Sequence, residues 1–222
     1  MAYSIAIDGP AGAGKSTIAK AAAKRLGFIY VDTGAMYRAM GLYMLREGID
    51  GDDEETQSAR CAEAQITICY EDGVQQVYLN GENVNALIRT EEVGKMASAV
   101  ARNKDVRLQL VYLQRALAER ENVIMDGRDI GTYVLPDATC KIYLTASVEE
   151  RGRRRFLELR AKGIDCDLEE IKADIEARDQ QDMNRDFAPL RQAEDAVLLD
   201  SSDLGPEEVV EEVLRIFEES CE

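Results

Sequence analysis

The chain has 222 residues, 45% of them hydrophobic and 32% charged, with 43 acids against 27 bases and no histidine, for a net charge of −16. That length holds one α/β domain with insertions, the composition excludes wholesale disorder, and the acidity argues against polymeric nucleic acid as a partner, because such affinity comes from neutralised phosphates. Ser-His-Asp and Cys-His machinery is excluded, and five cysteines (Cys61, Cys69, Cys140, Cys166, Cys221) without a C-x-x-C pair argue against zinc and against a disulfide framework.

Residues 3–7 form an apolar run that predicts a short buried strand. Gly9-Pro10-Ala11-Gly12-Ala13-Gly14-Lys15-Ser16-Thr17 follows, and then an alanine-rich helix. Strand, glycine-rich turn and helix are the setting in which G-x-x-x-x-G-K-[ST] cradles a phosphate. The glycines let successive N–H groups turn inward, the helix adds its positive end, Lys15 reaches the outer phosphates and Ser16 offers a hydroxyl to magnesium. Residues 28–32 read as a second strand, and 35–47 as an amphipathic helix with Met36, Ala39, Met40, Tyr43 and Met44 at helical spacing. Residues 48–58 are polar and loop-like. Two alternating runs at 65–70 and 74–79, with Glu71-Asp72-Gly73 between them and Asn80-Gly81 after, predict a small antiparallel sheet inserted over 60–88.

Helices resume at Thr90 and run to about 119, with a break near Asn103. Residues 122–126 and 141–144 read as core strands, and Ser147 caps a helix carrying Arg151, Arg153, Arg154 and Arg155. A helix follows over about 167–183, a last strand over 196–200, and a final helix opens at Pro206 with Val209, Val210, Val213, Leu214 and Phe217 on one face. Strand–helix alternation of this kind predicts a parallel sheet wrapped by helices, with the phosphate loop at the carboxyl ends of its strands. Residues 1–4 lead directly into the first strand and no apolar run approaches membrane-spanning length, so a cytoplasmic protein that binds no membrane is expected, as a monomer.

Asp126 ends a strand facing the same crevice and suits a magnesium ligand; the alternative is a strand-end acid that caps the next turn. Arg38, Arg128, Arg178 and Arg185 stand out against the acidic background. Arg178, Asp182 and Arg185 share a helix face, as a surface salt-bridge row or as a braced fork for one phosphate. In the 151–155 cluster, Glu149, Glu150 and Glu158 supply helical partners. A phosphate acceptor has a second pKa of about 6, so it needs no general base, and an enzyme has only to align two polyanions.

The chain resembles the bacterial cytidylate kinases, within the nucleoside monophosphate kinases. The resemblance is carried by the phosphate loop with Asp8, by Asp32-Thr33-Gly34-Ala35-Met36-Tyr37-Arg38, by Ile88-Arg89-Thr90-Glu91-Glu92-Val93, by Asp126-Gly127-Arg128-Asp129-Ile130-Gly131-Thr132, and by the 178–185 segment with Ala188-Pro189-Leu190. It implies an α/β three-layer P-loop fold with a five-stranded parallel sheet, a small antiparallel-sheet insertion at 60–88 that binds the nucleoside monophosphate, and a helical lid at 151–165. It implies transfer of the γ-phosphoryl group of ATP to CMP and dCMP with Mg2+, the metal held by Ser16 and Asp126. Residues 9–17 and Arg154 would hold ATP. Lys15, Arg128, Arg178 and Arg185 would serve the transfer. Thr33, Gly34, Arg38, Arg128, Arg178, Asp182 and Arg185 would hold the CMP phosphate and ribose, with Ser98, Arg107 and Asp129 at the base. Two other readings of the phosphate loop remain at this point: a kinase for a non-nucleotide acceptor, and a GTP-driven switch, for which Asn103-Lys104-Asp105 lacks the spacer of N-K-x-D.

Overall fold

The computed structural model describes residues 2–221. In chain order the elements are β1 (Ser4–Asp8), α1 (Lys15–Leu26), β2 (Ile29–Asp32), α2 (Thr33–Arg46), α3 (Glu54–Arg60), β3 (Ile66–Glu71), β4 (Val74–Leu79), β5 (Glu82–Asn83), α4 (Glu91–Val100), α5 (Lys104–Ala118), β6 (Val123–Gly127), β7 (Cys140–Thr145), α6 (Val148–Ala161), α7 (Leu168–Asn184), β8 (Val197–Asp200) and α8 (Pro206–Glu219). Five strands pair in parallel in the order β2-β6-β1-β7-β8, as the alternation predicts. The chain leaves β1 toward β2 on one side and later returns to β7 on the other. The crevice therefore opens at the carboxyl end of β1, where the strand order reverses.

Strand alternation divides the core. Ile5, Ile7, Ile124, Ile142 and Leu144 face α1 and α8, meeting Ile18, Ala22, Val210, Val213 and Phe217. Ala6, Val31, Val123 and Met125 face the other way, toward Val111 of α5 and toward Ile130 and Val134. A third cluster joins α2 and α4 to the insertion through Met36, Met40, Met44, Val77 and Leu79. The antiparallel sheet β3-β4-β5 stands where its turn signals place it. It is fastened to the edge of β2: the Gln75 amide donates to Asp32 O and accepts from Asp32 N, and the Tyr70 hydroxyl donates to Tyr30 O.

Two local features depart from the expectation. Residues 48–58 are not loop throughout, because α3 begins at Glu54. Asp53 caps it, Glu54 and Glu55 sit in its first turn and Arg60 in its last, but of its side chains only Gln57 is buried, so no apolar stripe announces it. Residues Ile130–Val134 wind a single π turn, closed by Leu135 N–H to Ile130 O at 2.7 Å and Val134 N–H to Asp129 O at 3.0 Å. The helix break lies where expected, with the Asn103 side chain accepting from Asp105 N–H and Val106 N–H. Among the described residues no helix is long and apolar enough to cross a membrane.

Candidate active site

The phosphate loop joins β1 to α1 through three glycines with positive φ: Gly9 (151°), Gly12 (74°) and Gly14 (86°). At Gly9 a Cβ would stand 1.9 Å from Leu144 O, so the loop leaves the sheet where no side chain fits. No side chain caps the start of α1 at Gly14. Its first-turn amides face the loop and suit an anion. Lys15 folds back, its Nζ donating to Gly9 O at 2.8 Å and Pro10 O at 2.7 Å. Burial, and after it the charge of Arg128, lowers the Lys15 ammonium to about 7 against the pull of Asp126, Asp182 and Asp8.

Asp126 ends β6 beside this loop. Its Oδ2 accepts from Ser16 Oγ at 2.7 Å and its Oδ1 from the Tyr30 hydroxyl at 2.9 Å, while the Thr33 hydroxyl donates to its carbonyl at 2.6 Å. Burial raises the Asp126 carboxyl, and the nearby Asp32 raises it further. Asp32 caps α2 through Ala35 N–H and pairs with Arg89 at 2.7 Å. Gly34 stands against that cap, since a Cβ there would lie 3.2 Å from Asp32 Oδ1.

The arginines converge from several elements. Arg128, just past β6, donates to Asp182 of α7 at 2.7 Å, and Arg185 lies 3.6 Å from the same carboxylate. Asp182 thus stands between Arg128 and Arg185, not between Arg178 and Arg185 as the helical spacing suggests. Arg38 of α2 makes no ion pair among the described residues and donates only to the carbonyls of Ile88 and Thr90, at 3.1 and 3.4 Å. Arg178, open to solvent on its outer surface, also pairs with no carboxylate among them. Both guanidiniums are held below their ordinary value, first by the surrounding protein mass. Arg89 and Arg178 then act on Arg38, and Arg128 on Arg178. Arg155 of α6 adds to both, so its charge reaches this cluster. Asp32 acts the other way on Arg38, and Asp182 and Asp179 on Arg178, but neither guanidinium makes an ion pair among the described residues.

Deeper in the cleft Asp129 lies between Arg107, at 2.5 Å, and Arg185, at 3.4 Å. The side chains of Arg107, Arg185 and Asp129 are 1%, 5% and 6% exposed, so this is a buried triad. The Arg185 guanidinium also reaches Ala188 O, which Ala188 presents from a left-handed backbone with φ 48°. Tyr37 lays its ring 5.3 Å from the Arg107 guanidinium carbon, and burial pushes its phenol up to about 12. Arg107 Nε is buried with no partner. Ser98 of α4 is met by Gln181 of α7, whose amide nitrogen donates to its carbonyl and hydroxyl oxygens.

Two features, at Asp8 and at Arg151, were not foreseen from the residues. Asp8 accepts from Ile130 N–H and Gly131 N–H at 2.8 and 2.7 Å, tying the start of the phosphate loop to the turn that carries Arg128 and Asp129. Burial raises its carboxyl to about 6. Arg151 is buried, pairing with Asp179 at 2.5 Å and donating to Ala11 O, while Asp179 accepts from Ala11 N–H. This pair holds the tip of the phosphate loop between α6 and α7. Arg154 bonds Glu150 and Ser201, with its guanidinium 3.9 Å from the place of a Gly14 Cβ, so it flanks the loop. The crowding of 151–155 was the sequence signal for the Arg151 role, and it did not show which of those arginines turns inward.

The family profile described as Cytidylate kinase matches residues 5–219. A cytidylate kinase of Caldicellulosiruptor bescii is 53% identical over 213 residues, covering 96% of this chain and 94% of that protein. One from Shouchella clausii is 48% identical over 217 residues, covering 98% and 96%. Among solved structures, a gluconokinase from Sinorhizobium meliloti superposes with a TM-score of 0.51 at 14% identity, covering 98% of this chain and 92% of that one, which shows a shared fold.

Proposed function

The chain belongs to the cytidylate kinase family, and from that premise we propose that it transfers the γ-phosphoryl group of ATP to CMP, and to dCMP, giving ADP and the nucleoside diphosphate. The observation that carries the site assignment is the pair Arg38 and Arg178, two cations without carboxylate partners among the described residues, beside a phosphate loop whose Lys15 feels the charge of Arg128. A dianionic acceptor phosphate supplies the missing charge.

Residues 9–17 hold the donor phosphates through loop amides and Lys15, with Arg154 at the flank. Lys15 exchanges its bonds to Gly9 O and Pro10 O for phosphate oxygens, and regains its charge in doing so. Arg38, Arg128, Arg178 and Arg185 hold the acceptor phosphate, Asp182 braces two of them and reaches the ribose, and Thr33 and Gly34 shape the wall beneath. A phosphate oxygen of CMP attacks the γ-phosphorus, the bond to the bridging oxygen breaks, and ADP leaves with that electron pair. The acceptor is already ionised, so no base is required; arginine charge in a cleft with little water stabilises the spreading negative charge. The insertion at 60–88 carries the acceptor side, and the lid at 151–165 closes over the donor, excluding water as a competing acceptor.

Ser16 and Asp126 fit a magnesium ion: hard oxygen donors 2.7 Å apart at the mouth of the loop, one of them a buried carboxylate beside a second carboxylate. No group of three or more acidic, histidine or cysteine side chains that could hold a metal occurs among the described residues, so Ser16 and Asp126 are the side chains that would hold such an ion. When bound it supplies charge neutralisation at the β- and γ-phosphate oxygens.

Asp129 accepts from the cytosine amino group, and Arg107 and Ser98 donate to the ring acceptors. Uracil would set a carbonyl against the carboxylate. We place the enzyme in the cytoplasm as a monomer acting on small nucleotides. A coupled ADP-release assay against CMP, dCMP, UMP and AMP, with and without magnesium, tests the reading. Turnover with CMP and dCMP above the others is expected; equal turnover across the panel, or ADP release indifferent to acceptor, would defeat it.

A further inference from the structure

Gln181 lies on α7 between Arg178 and Asp182 and crosses to α4. Its Nε2 donates to Ser98 O at 2.9 Å and to Ser98 Oγ at 3.1 Å. Chemistry fixes the direction of the amide. A peptide carbonyl can only accept, so the atom facing it is the nitrogen. The carbonyl is free for this because the last turn of α4 tightens, with Arg102 N–H bonding Ala99 O instead. One N–H of the amide thus goes to the carbonyl and the other to the hydroxyl. A serine oxygen that accepts keeps its own proton to give, and Ser98 Oγ donates to no group among the described residues.

We infer that Gln181 is a positioning residue for base selection: it fixes Ser98 as a hydrogen-bond donor toward the base, and so favours cytosine, whose N3 accepts, over uracil, whose N3 carries a hydrogen. The inference rests on the placing of Ser98 at the base under the proposed function. Without Gln181 the hydroxyl is free to turn its proton back to a carbonyl of its own helix, as serines in helices do. With a glutamate at 181 the polarity inverts, because a carboxylate accepts the Ser98 proton and offers none in return. The simpler role, a cap on the end of α4, predicts a loss of stability shared by every substrate.

The test measures kcat/KM for CMP and UMP, with thermal midpoints, for wild type, S98A, Q181A, Q181E and S98A/Q181A. Q181M repeats the truncation with the packing volume kept. The CMP-over-UMP ratio is expected to fall about 10-fold or more in S98A and about 3- to 10-fold in Q181A and Q181M. Q181E is expected to match S98A, and the double variant to equal S98A within about twofold, since coupled residues do not add. Equal losses on CMP and UMP, full additivity in the double variant, or a Q181E ratio like that of wild type would overturn the inference and leave the cap alone. An unchanged ratio in S98A would instead remove Ser98 from the base, and this inference with it.

Discussion

Asp129 offers the sharpest separation of folding from base reading. It is the shared counterion of Arg107 and Arg185, whose side chains are 1% and 5% exposed. Asp129→Ala leaves two guanidiniums facing each other in a dry cleft, where Arg107 already lowers the Arg185 group after burial has done so. Breaking a buried pair by removing one partner costs about 3–5 kcal/mol. At about 2–4 °C per kcal/mol for a domain of this size, the midpoint should fall by roughly 6–20 °C. Asp129→Asn keeps the shape and one accepting oxygen, so its loss should be smaller. Its amide nitrogen, however, presents hydrogens where the carboxylate presented lone pairs, and a uracil carbonyl can use them. The ratio of kcat/KM for CMP to that for UMP should therefore fall by about 10- to 100-fold in Asp129→Asn, from lost CMP turnover with UMP held or improved. The assay is ADP release at a temperature where calorimetry shows the variant folded. Equal losses on both nucleotides in a folded Asp129→Asn would refute the base-reading role and leave a structural triad.

Arg178→Ala should raise KM for CMP and lower kcat together, by about 100-fold in kcat/KM, yet cost little stability, because the guanidinium makes no ion pair among the described residues and feels Arg128 as well as Asp182 and Asp179; a large fall in the thermal midpoint would show that it braces the fold. Lys15 titrates near 7 in the free protein against an ordinary 10.5, so between those values the unfolded chain holds a proton that the folded chain has lost. Stability from this group therefore rises with pH across that window, and phosphate binding should reverse the shift by drawing a proton in. Calorimetry of ADP binding in two buffers of different ionisation enthalpy should show proton uptake growing from about pH 6 to 9 and absent in Lys15→Met; buffer-independent heats for the wild type at pH 8 would rule this out. Gly9→Ala puts a methyl 1.9 Å from Leu144 O at φ 151° and should cost more than about 4 kcal/mol, read as loss of the folded state in a denaturant titration.

What could be read from the residues was whatever is local in the chain. The strands declare themselves as apolar runs ending in Asp8, Asp32 and Asp126, and α5, α6 and α7 start at Asn103, Ser147 and Asp167, each accepting from first-turn amides. Of the pairing around Asp182, only the contact with Arg185, three positions on, is visible in the spacing of the residues. Pairs made across the fold are not. Arg128 meets Asp182 across 54 positions and Arg107 meets Asp129 across 22. Nothing in the chain says which acid belongs to which base. The 151–155 cluster shows the limit. Glu150 does hold Arg153 and Arg154, and Glu158 holds Arg155, as helix spacing suggests. Glu149 turns instead to Lys172, and Arg151 turns inward to Asp179 and the phosphate loop. Which arginine enters the core depends on the approach of α7, and no local rule contains that.

The division between paired and unpaired arginines explains how an acidic chain can keep a cationic cleft folded before any nucleotide arrives. Arg107, Arg128, Arg151 and Arg185 each have an aspartate within 3.6 Å, so their burial is compensated inside the protein. Removing a phosphate ligand changes little for them, and they set geometry. Arg38 and Arg178 lack such contacts among the described residues; acids at longer range, Asp32 for the first and Asp182 and Asp179 for the second, act against the repulsion of neighbouring arginines, and an entering anion adds the contact they lack. Binding strength for the acceptor phosphate should therefore reside in the unpaired two, and its placement in the paired ones. A neutral acceptor of the same shape would leave that repulsion in place. The preference for a phosphorylated acceptor then follows from charge that the fold withholds, before any contact with sugar or base.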